Sequence, residues 1–115
     1  MPLSTIVYSF GKMIINGKIY NRDVKIIQDK VVPNWWREQG HFLQIQDVQD
    51  ILDYHPDILI IGTGALGRMK VSPELLTFLK KQKIKVIVEK TAAAVITFCK
   101  LSPEHNKAGA FHLTC

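Results

Sequence analysis

Residues 57–71, DILIIGTGALGRMKV, contain the most informative pattern in the chain. The apolar run at 58–61 is short, rich in β-branched residues and free of polar alternation, which is typical of a strand buried on both faces. The glycines that follow, from Gly62 to Gly67, have no Cβ atom and therefore allow a sharp turn or a close approach to a neighbouring segment. The pattern predicts a central strand that carries a glycine loop to one edge of a sheet.

The residues after the loop predict a helix and a second core strand. Ser72 is a good N-cap, and Pro73 suits the first helical turn. The buried stripe of this helix would consist of Leu75, Leu76 and Leu79. An apolar strand at 84–88 follows, and two such strands joined through a helix usually form a right-handed parallel crossover.

The end of the chain predicts one more helix and a final strand. Thr91 would cap the helix, whose apolar excess predicts deep burial with Cys99 as a small core residue. Residues 108–113 would then form a short strand that docks in the sheet.

The beginning of the chain predicts antiparallel strands. Short apolar runs alternate there with turn signals, of which Asn16-Gly17 is the strongest for a hairpin. Residues 23–27 alternate polar and apolar side chains, as a half-exposed strand does.

Together these elements predict one α/β domain with a mixed central sheet, a parallel strand–helix–strand unit, an N-terminal antiparallel hairpin or meander, and about three helices. We expect antiparallel strands at 1–30, a tryptophan-rich loop at 31–43 and an α/β core at 44–115. The core would begin with an amphipathic helix over 45–52, which carries an acidic outer face and is ended by Pro56.

Composition limits the class of protein. The chain has 115 residues, of which 47% are hydrophobic, enough for one core. No apolar run approaches the ~18 residues of a membrane span, and the start lacks the features of a signal peptide. The cysteines, Cys99 and Cys115, are too few for a disulfide framework. We expect a cytoplasmic protein with reduced thiols and no membrane contact.

The net charge of +5 is distributed unevenly. Residues 1–37 carry +4, residues 38–67 carry −5 and residues 68–115 carry +6. Several of the lysines cluster at the end of the predicted second helix, where they favour the helix dipole. Nucleic-acid-binding proteins usually concentrate basic residues together with stacking aromatics. The distribution therefore argues against a nucleic-acid partner.

Trp35, Trp36 and Arg37 lie together in a loop bracketed by a proline and a glycine. Adjacent residues of an extended segment point to opposite faces, so one tryptophan could be buried and the other exposed. One interpretation is a tryptophan lid over the core, with Arg37 stacked on it or paired to Glu38. The other is a surface anchor, because Trp and Arg dominate interface hot spots.

The glycine loop has the spacing of a dinucleotide-binding fingerprint. Gly62, Gly64 and Gly67 follow a strand, and Glu89 follows the next strand about 20 residues further on. In that fingerprint the helix begins inside the loop, so that its amides face the pyrophosphate. Here the predicted cap is Ser72, after an intervening segment. The sequence therefore disfavours a nicotinamide cofactor.

Two other interpretations of the loop stay open. The loop amides near Thr63, together with Arg68, could hold a small anion such as phosphate or a carboxylate. Alternatively, the loop is structural, and its glycines allow a strand and a helix to pack closely.

The rest of the chain offers no catalytic set. His112 and Cys115 have ligand-like spacing, but no second metal-ligand pair accompanies them. The sequence contains no nucleophile elbow and no paired-carboxylate spacing. We therefore predict no catalytic residue, no metal and no cofactor.

Three segments together resemble a known family: PNWWREQGH at 33–41, the strand and glycine loop up to residue 71, and FHLTC at 111–115. They resemble the small single-domain proteins of unknown function that include the adipogenesis-associated domain protein. Mitochondrial respiratory complex I assembly factor 3 is a more distant relative. The resemblance covers nearly the whole chain.

The resemblance implies an α/β domain with a mixed sheet and an antiparallel portion, and it supplies no catalytic residue, substrate or cofactor. The chain lacks an Arg- and Ser-rich transit segment, so a role in complex I is not carried over. The composition is more typical of a bacterial or archaeal member.

Two functional hypotheses follow. The first is a non-enzymatic interaction or assembly-factor-like domain with an unknown protein partner. The alternative is a small anion- or nucleotide-binding protein, with an enzyme not excluded, that uses the glycine loop. The candidate binding residues are Trp35, Trp36, Arg37, Gly62, Thr63, Gly64, Gly67 and Arg68.

Overall fold

The computed structural model describes residues 5–101 and 104–115, so residues 1–4 of the predicted N-terminal strands lie outside the described residues. The elements in chain order are β1 (Ile6–Ser9), β2 (Lys12–Ile15), β3 (Lys18–Tyr20), β4 (Val24–Ile27), β5 (Lys30–Val32), β6 (Phe42–Leu43), a 3₁₀ helix (Ile45–Val48), α1 (Gln49–Tyr54), β7 (Ile58–Gly62), β8 (Lys70–Val71), α2 (Pro73–Lys81), β9 (Lys85–Glu89), α3 (Thr91–Lys100) and β10 (Lys107–Phe111).

A five-stranded mixed sheet forms the centre of the domain, in the order β5-β4-β10-β7-β9. Strand β7 runs parallel to its neighbours β9 and β10, whereas β4 is antiparallel to β10 and β5. Helix α2 lies between β7 and β9 in the chain, and these two strands are parallel neighbours. The α/β class, the mixed sheet and the strand–helix–strand unit are therefore confirmed.

Strand β7 contributes to the apolar core on both sides of the sheet. Leu59 and Ile61 belong to the cluster that includes residues of α1 and α2. Ile60 belongs to the opposite cluster, together with residues of β2 and α3. Because successive side chains of a strand point to opposite faces, a strand covered on both sides has no polar alternation. This explains the apolar run at 58–61.

The predicted N-terminal meander is confirmed. Strands β1, β2 and β3 form a separate antiparallel sheet in that order. Asn16 and Gly17 form the two-residue turn between β2 and β3 with φ values of 48° and 86°. Positive φ at both positions is the requirement of a type I′ hairpin turn, which Asn-Gly satisfies well. The next strand, β4, is not part of this sheet and pairs with β10 in the central sheet.

The predicted N-cap at Ser72 and the predicted helix end before Pro56 are both present in the structure. The Ser72 hydroxyl accepts a hydrogen bond from the Leu75 amide at 3.1 Å, as an N-cap does. The predicted helix over 45–52 is present as the 3₁₀ helix followed by α1, and it ends at His55, whose φ is 57°. Pro56 follows directly, which explains why the helix goes no further.

Helix α3 differs from its prediction. Its N-cap is Lys90, and Thr91 is its first helical residue. Cys99 is exposed rather than part of the core, and more than half of the Ile96 side chain is exposed. Leu76 on α2 is exposed as well. The reason is geometric: a helix that lies on one face of a sheet buries a single stripe, whatever its overall composition.

The helices of the described residues are short. The longest, α3, has ten residues, whereas a membrane span needs about 20. No helix within 5–101 and 104–115 is long and apolar enough to cross a membrane.

Gly109 on the central strand β10 allows an aromatic pair to lie directly on the backbone. A Cβ atom at this position would lie 2.7 Å from Cζ of Phe111 and 3.3 Å from Cδ2 of Phe98. The two rings pack edge to face with centroids 5.7 Å apart, and both are buried. The position therefore requires glycine for space.

We expect Gly109→Ala to lower the free energy of unfolding by about 1–3 kcal/mol, because the added methyl group would force a buried ring to move. The matched control is Gly40→Ala, where an added Cβ has no heavy atom within 4 Å. The control should change stability by less than ~0.5 kcal/mol. Urea unfolding of both variants measures the difference, and equal midpoints would contradict the packing argument.

Candidate functional site

One edge of the central sheet brings together several predicted site residues. Gly62, at the carboxyl end of β7, lies opposite Phe111 at the carboxyl end of β10. Strand β4 runs in the opposite direction, so its first residue, Val24, also lies beside Phe111. Asp23, the glycine loop (residues 62–68) and the C-terminal segment (residues 112–115) therefore meet at this edge. Ligands of open α/β sheets usually bind at the carboxyl ends of the parallel strands.

The glycine loop binds the C-terminal segment through backbone hydrogen bonds. The Ala65 amide donates to the Thr114 carbonyl at 2.7 Å, and the Arg68 amide donates to the Cys115 carbonyl at 3.0 Å. Two of the loop amides that the sequence offered to an anion are thus bonded to the chain itself.

Gly64 is required for this contact. Its φ of 104° is unfavourable for a residue with a side chain, and a Cβ atom would lie 2.6 Å from the Cys115 carbonyl oxygen. The glycine spacing thus allows close approach of a peptide segment of the same chain.

Two threonines fix the base of the loop. The Thr91 hydroxyl donates to the His112 carbonyl at 2.6 Å and accepts from the Gly64 amide at 2.8 Å. The Thr63 hydroxyl donates to the Glu89 carbonyl at 3.1 Å. The Thr91 side chain therefore connects the loop to the C-terminal segment instead of capping α3.

The meander holds the C-terminal segment from the other side. The Leu113 carbonyl accepts hydrogen bonds from the Gly11 amide and from the Tyr8 hydroxyl, both at 2.8 Å. Burial, with a smaller contribution from the Asp23 carboxylate, raises the pKa of Tyr8, so its hydroxyl stays protonated and can donate.

The two adjacent tryptophans have opposite environments. Trp35 is 7% exposed, whereas Trp36 is 80% exposed. The Trp35 indole donates to the Asp47 carbonyl at 2.9 Å, and the Arg37 guanidinium lies 4.6 Å from the centroid of its ring. The ion-pair partner of Arg37 is Asp23 rather than Glu38.

A buried ionic network around Asp23 connects the tryptophan segment to the C-terminal segment. One carboxylate oxygen lies 2.8 Å from both Arg37 Nη1 and His112 Nδ1. The other oxygen accepts the Leu113 amide at 2.8 Å. The sequence singled out His112 only for its spacing to Cys115, and its pairing with Asp23 was not predicted because 89 residues separate the two and no local motif links them.

The neighbours of Asp23 favour its charged form. Burial raises the pKa of Asp23, but hydrogen bonds from His112 and from the Leu113 amide, together with the positive charge of Arg37, outweigh that effect and hold its pKa below its ordinary value. Asp23 is therefore a carboxylate at neutral pH. His112 Nδ1 lies 2.8 Å from an Asp23 oxygen and 3.0 Å from Arg37 Nη2, so the histidine ring contacts both charged partners.

Arg37 has both a directional and an ionic contact. Its Nε and Nη2 donate to the Gly40 carbonyl at 3.1 and 2.8 Å. Its Nη1 is buried and lies within ion-pair distance of Asp23 without the direction of a hydrogen bond. Arg37 therefore holds the tryptophan loop closed and neutralises the buried carboxylate.

The Asp23–His112 pair resembles the base of a hydrolase, but the surroundings favour a structural role. His112 Nε2 lies 3.5 Å from the Thr114 hydroxyl, beyond the ~2.6–3.2 Å over which a general base acts. Catalysis of acyl transfer also needs free donors for an oxyanion, and the Ala65 and Arg68 amides are already bonded. Among the described residues, no group of three His, Cys, Asp or Glu side chains is arranged to hold a metal ion.

An open depression of about 760 Å³ lies beside the exposed tryptophan. Polar side chains and the two tryptophans form its walls. The lining residues are Asn21, Arg22, Asp23, Asn34, Trp35, Trp36, Arg37, Glu38 and Gly40.

Three large exposed apolar side chains occur on segments that contact the C-terminal segment. Trp36 precedes Arg37, Phe10 precedes Gly11, and Leu66 lies in the glycine loop. Phe10 is 63% exposed and Leu66 is 58% exposed. Exposed aromatic residues at a site without a catalytic set are typical of interaction surfaces.

The fold and this edge define a class of small α/β domains in which the carboxyl edge of a mixed sheet is closed by the C-terminal segment of the chain. The chain belongs to the family described as "Protein of unknown function (DUF498/DUF598)", whose family model matches residues 6–113.

Solved structures share this fold. An outer membrane protein from Bartonella henselae is similar over 99% of this chain and 97% of its own, with 19% identity and a TM-score of 0.83. A conserved hypothetical protein from Pyrococcus horikoshii is similar over 96% and 99%, with 23% identity and a TM-score of 0.82. An Mth938-like domain from Bordetella pertussis is similar over 97% and 85%, with 16% identity and a TM-score of 0.66. At these identities the similarity concerns the fold alone.

We expect Asp23→Asn to lower the free energy of unfolding at neutral pH by about 3–5 kcal/mol, because it leaves the buried Arg37 guanidinium without its countercharge. The pH dependence should change too. Because the pKa of Asp23 is lower in the folded state, its contribution is present above its unfolded pKa of about 3.9 and is lost as the pH falls through the folded value.

Urea unfolding from neutral to acidic pH measures both effects. The wild-type stability should fall steeply below about pH 4, and the Asp23→Asn profile should be flatter there. Asp53→Asn is the control, because Asp53 is exposed and its carboxylate accepts an exposed hydrogen bond from Gln49. Superimposed profiles for wild type and Asp23→Asn would show that the network carries no net stability, and parallel but offset profiles would contradict the predicted pH dependence.

Proposed function

We propose that the protein is a non-enzymatic interaction domain of the assembly-factor type, and that Trp36 is the centre of its binding surface. The observation that carries this proposal is the exposure of Trp36 directly between Trp35 and Arg37, which are both buried and both hydrogen-bonded to backbone carbonyls. A large side chain on a fixed backbone loses little entropy when a partner covers it.

The surroundings support the same conclusion. The depression beside Trp36 is open and offers amide, guanidinium and carboxylate groups, as the polar rim of an interface does. Phe10 and Leu66 are also exposed, on two other segments that contact the C-terminal segment. The glycine loop would then not contact the partner itself. Its role would be to hold the C-terminal segment in place through backbone hydrogen bonds.

The resemblance of the sequence to the adipogenesis-associated domain protein and, more distantly, to respiratory complex I assembly factor 3 adds support for an assembly role. We propose a cytoplasmic location and a protein partner. The outer membrane name of the Bartonella structure belongs to that protein.

The experiment is photo-crosslinking in cells with benzoylphenylalanine in place of Trp36 and, as a matched control, in place of Ile96 on α3, which is 55% exposed. We expect a discrete adduct at position 36 that is absent at position 96. For the partner identified in this way, Trp36→Ala should weaken binding by about 30-fold or more, the effect of a hot-spot residue.

The folding of Trp36→Ala is the internal control, because truncation of an exposed side chain should change stability by less than ~0.5 kcal/mol. A folded variant with unchanged affinity would place the interface elsewhere. The same adduct at positions 36 and 96 would indicate non-specific contact.

The alternative, a small anion held by the glycine loop, has weaker support because the Ala65 and Arg68 amides are bonded to the C-terminal segment. We therefore expect phosphate, simple carboxylates and nucleotides to give no thermal shift that depends on Arg68. A saturating ligand at a hundredfold excess over Kd would add ~2.7 kcal/mol, which is several degrees for this size. A shift in wild type that disappears in Arg68→Ala would restore the alternative.

A further inference from the structure

We propose that the free edge of β3 and the cleft beside it bind an extended, acidic peptide segment of the partner, which adds a strand to the meander. This inference rests on the proposed function and specifies the chemistry of the partner. Strand addition to an exposed sheet edge is a common mode of peptide recognition.

The cleft continues from the depression beside Trp36. It has a volume of about 410 Å³ and shares Asn21, Arg22 and Asn34 with that depression. One wall is β3 and the two residues after it, and the other wall is the segment Pro33–Asn34. The lining residues are Lys18, Ile19, Tyr20, Asn21, Arg22, Pro33 and Asn34. A peptide that follows β3 therefore reaches Trp36 at the end of the same groove.

The edge of β3 offers unpaired backbone groups. The meander has the order β1-β2-β3, so one side of β3 has no neighbouring strand among the described residues. Ile15 and Lys18 flank the type I′ turn and form a hydrogen-bonded pair, so the next pair, Ile14 and Ile19, is a non-hydrogen-bonded one. The Ile19 amide and carbonyl therefore point away from β2, toward the free edge.

The charge of the cleft indicates an acidic segment. Lys18 and Arg22 are both exposed and lie on its β3 wall. Within residues 5–101 and 104–115 neither forms an ion pair with an Asp or Glu side chain. Lys18 Nζ lies 5.5 Å from the centroid of the Tyr20 ring, so its charge is held beside the edge. Carboxylates of an added strand would supply the missing countercharges.

The other end of the groove indicates an apolar anchor. Trp36 and Pro33 present apolar surface there, and Glu38 adds a negative charge that would repel a second acidic residue. The expected ligand therefore has acidic residues beside Lys18 and Arg22 and an apolar or aromatic residue over Trp36.

The test uses a phage-displayed library of random ten-residue peptides, followed by synthesis of the enriched sequences. We expect enrichment of Asp or Glu together with one large apolar residue. Affinities of the synthetic peptides are then measured by titration calorimetry at low and high salt. Arg22→Ala should weaken binding and reduce its salt dependence, because surface charges are screened by salt.

A pair of variants at one position tests the backbone contact. Ile19→Pro removes the amide donor from the free edge, a position where strands tolerate proline, whereas Ile19→Thr changes only the side chain. We expect Ile19→Pro to weaken binding about tenfold and Ile19→Thr to bind within about twofold of wild type. N-methylation of alternate peptide amides should abolish binding to the unchanged protein, which makes the test independent of the folding of Ile19→Pro.

The outcomes separate this inference from the proposed function. Peptides that depend on Trp36 but tolerate Ile19→Pro and N-methylation would overturn strand addition and leave the Trp36 surface in place. Peptides that depend on Ile19 and Arg22 but not on Trp36 would support strand addition and remove Trp36 from the interface. No enrichment, enrichment of basic peptides, or a dimer in sedimentation that Ile19→Pro dissociates would overturn the acidic-peptide inference.

Discussion

The arrangement of the carboxyl edge depends on one largely buried carboxylate, that of Asp23, whose side chain is 13% exposed. From the start of β4 it contacts both the tryptophan segment and the C-terminal segment, through its ion pair with Arg37 and its bonds to His112 and the Leu113 amide. A buried charge is costly unless it is fully paired, so the three segments are stable in this arrangement only together. The network thus fixes the position from which Trp36 extends.

The glycine loop shows how a ligand-binding pattern can serve packing. Its glycines have the spacing of a phosphate-binding turn, and its amides do bind oxygen atoms. The oxygens that the Ala65 and Arg68 amides bind are those of the Thr114 and Cys115 backbone. A peptide carbonyl and a phosphate oxygen place the same demands on a loop, namely free amides and no Cβ in the way. The spacing alone cannot distinguish the two, and only the position of a distant segment can.

The limits of the sequence analysis follow from the range of the interactions. Structural features that depend on neighbouring residues in the sequence were predictable. They include the buried strand β7, the Asn16-Gly17 turn and the Ser72 cap. Arg37 was singled out, but its contacts with Asp23 and His112 were not predicted, because these two residues are far from each other and from Arg37 in the sequence. The exposure of Cys99 was mispredicted because composition does not tell which stripe of α3 faces the sheet.

The contrast between Trp35 and Trp36 argues for a binding surface more strongly than the exposure of either residue alone. The core needs one tryptophan at this loop, and Trp35 satisfies that need through its bond to Asp47 and its contact with Arg37. Packing within the described residues gives no comparable role to Trp36. A large exposed indole offers no gain to an isolated fold, since its apolar area stays in water. Such a side chain is useful when a binding partner covers it, and the cleft along β3 leads toward Trp36.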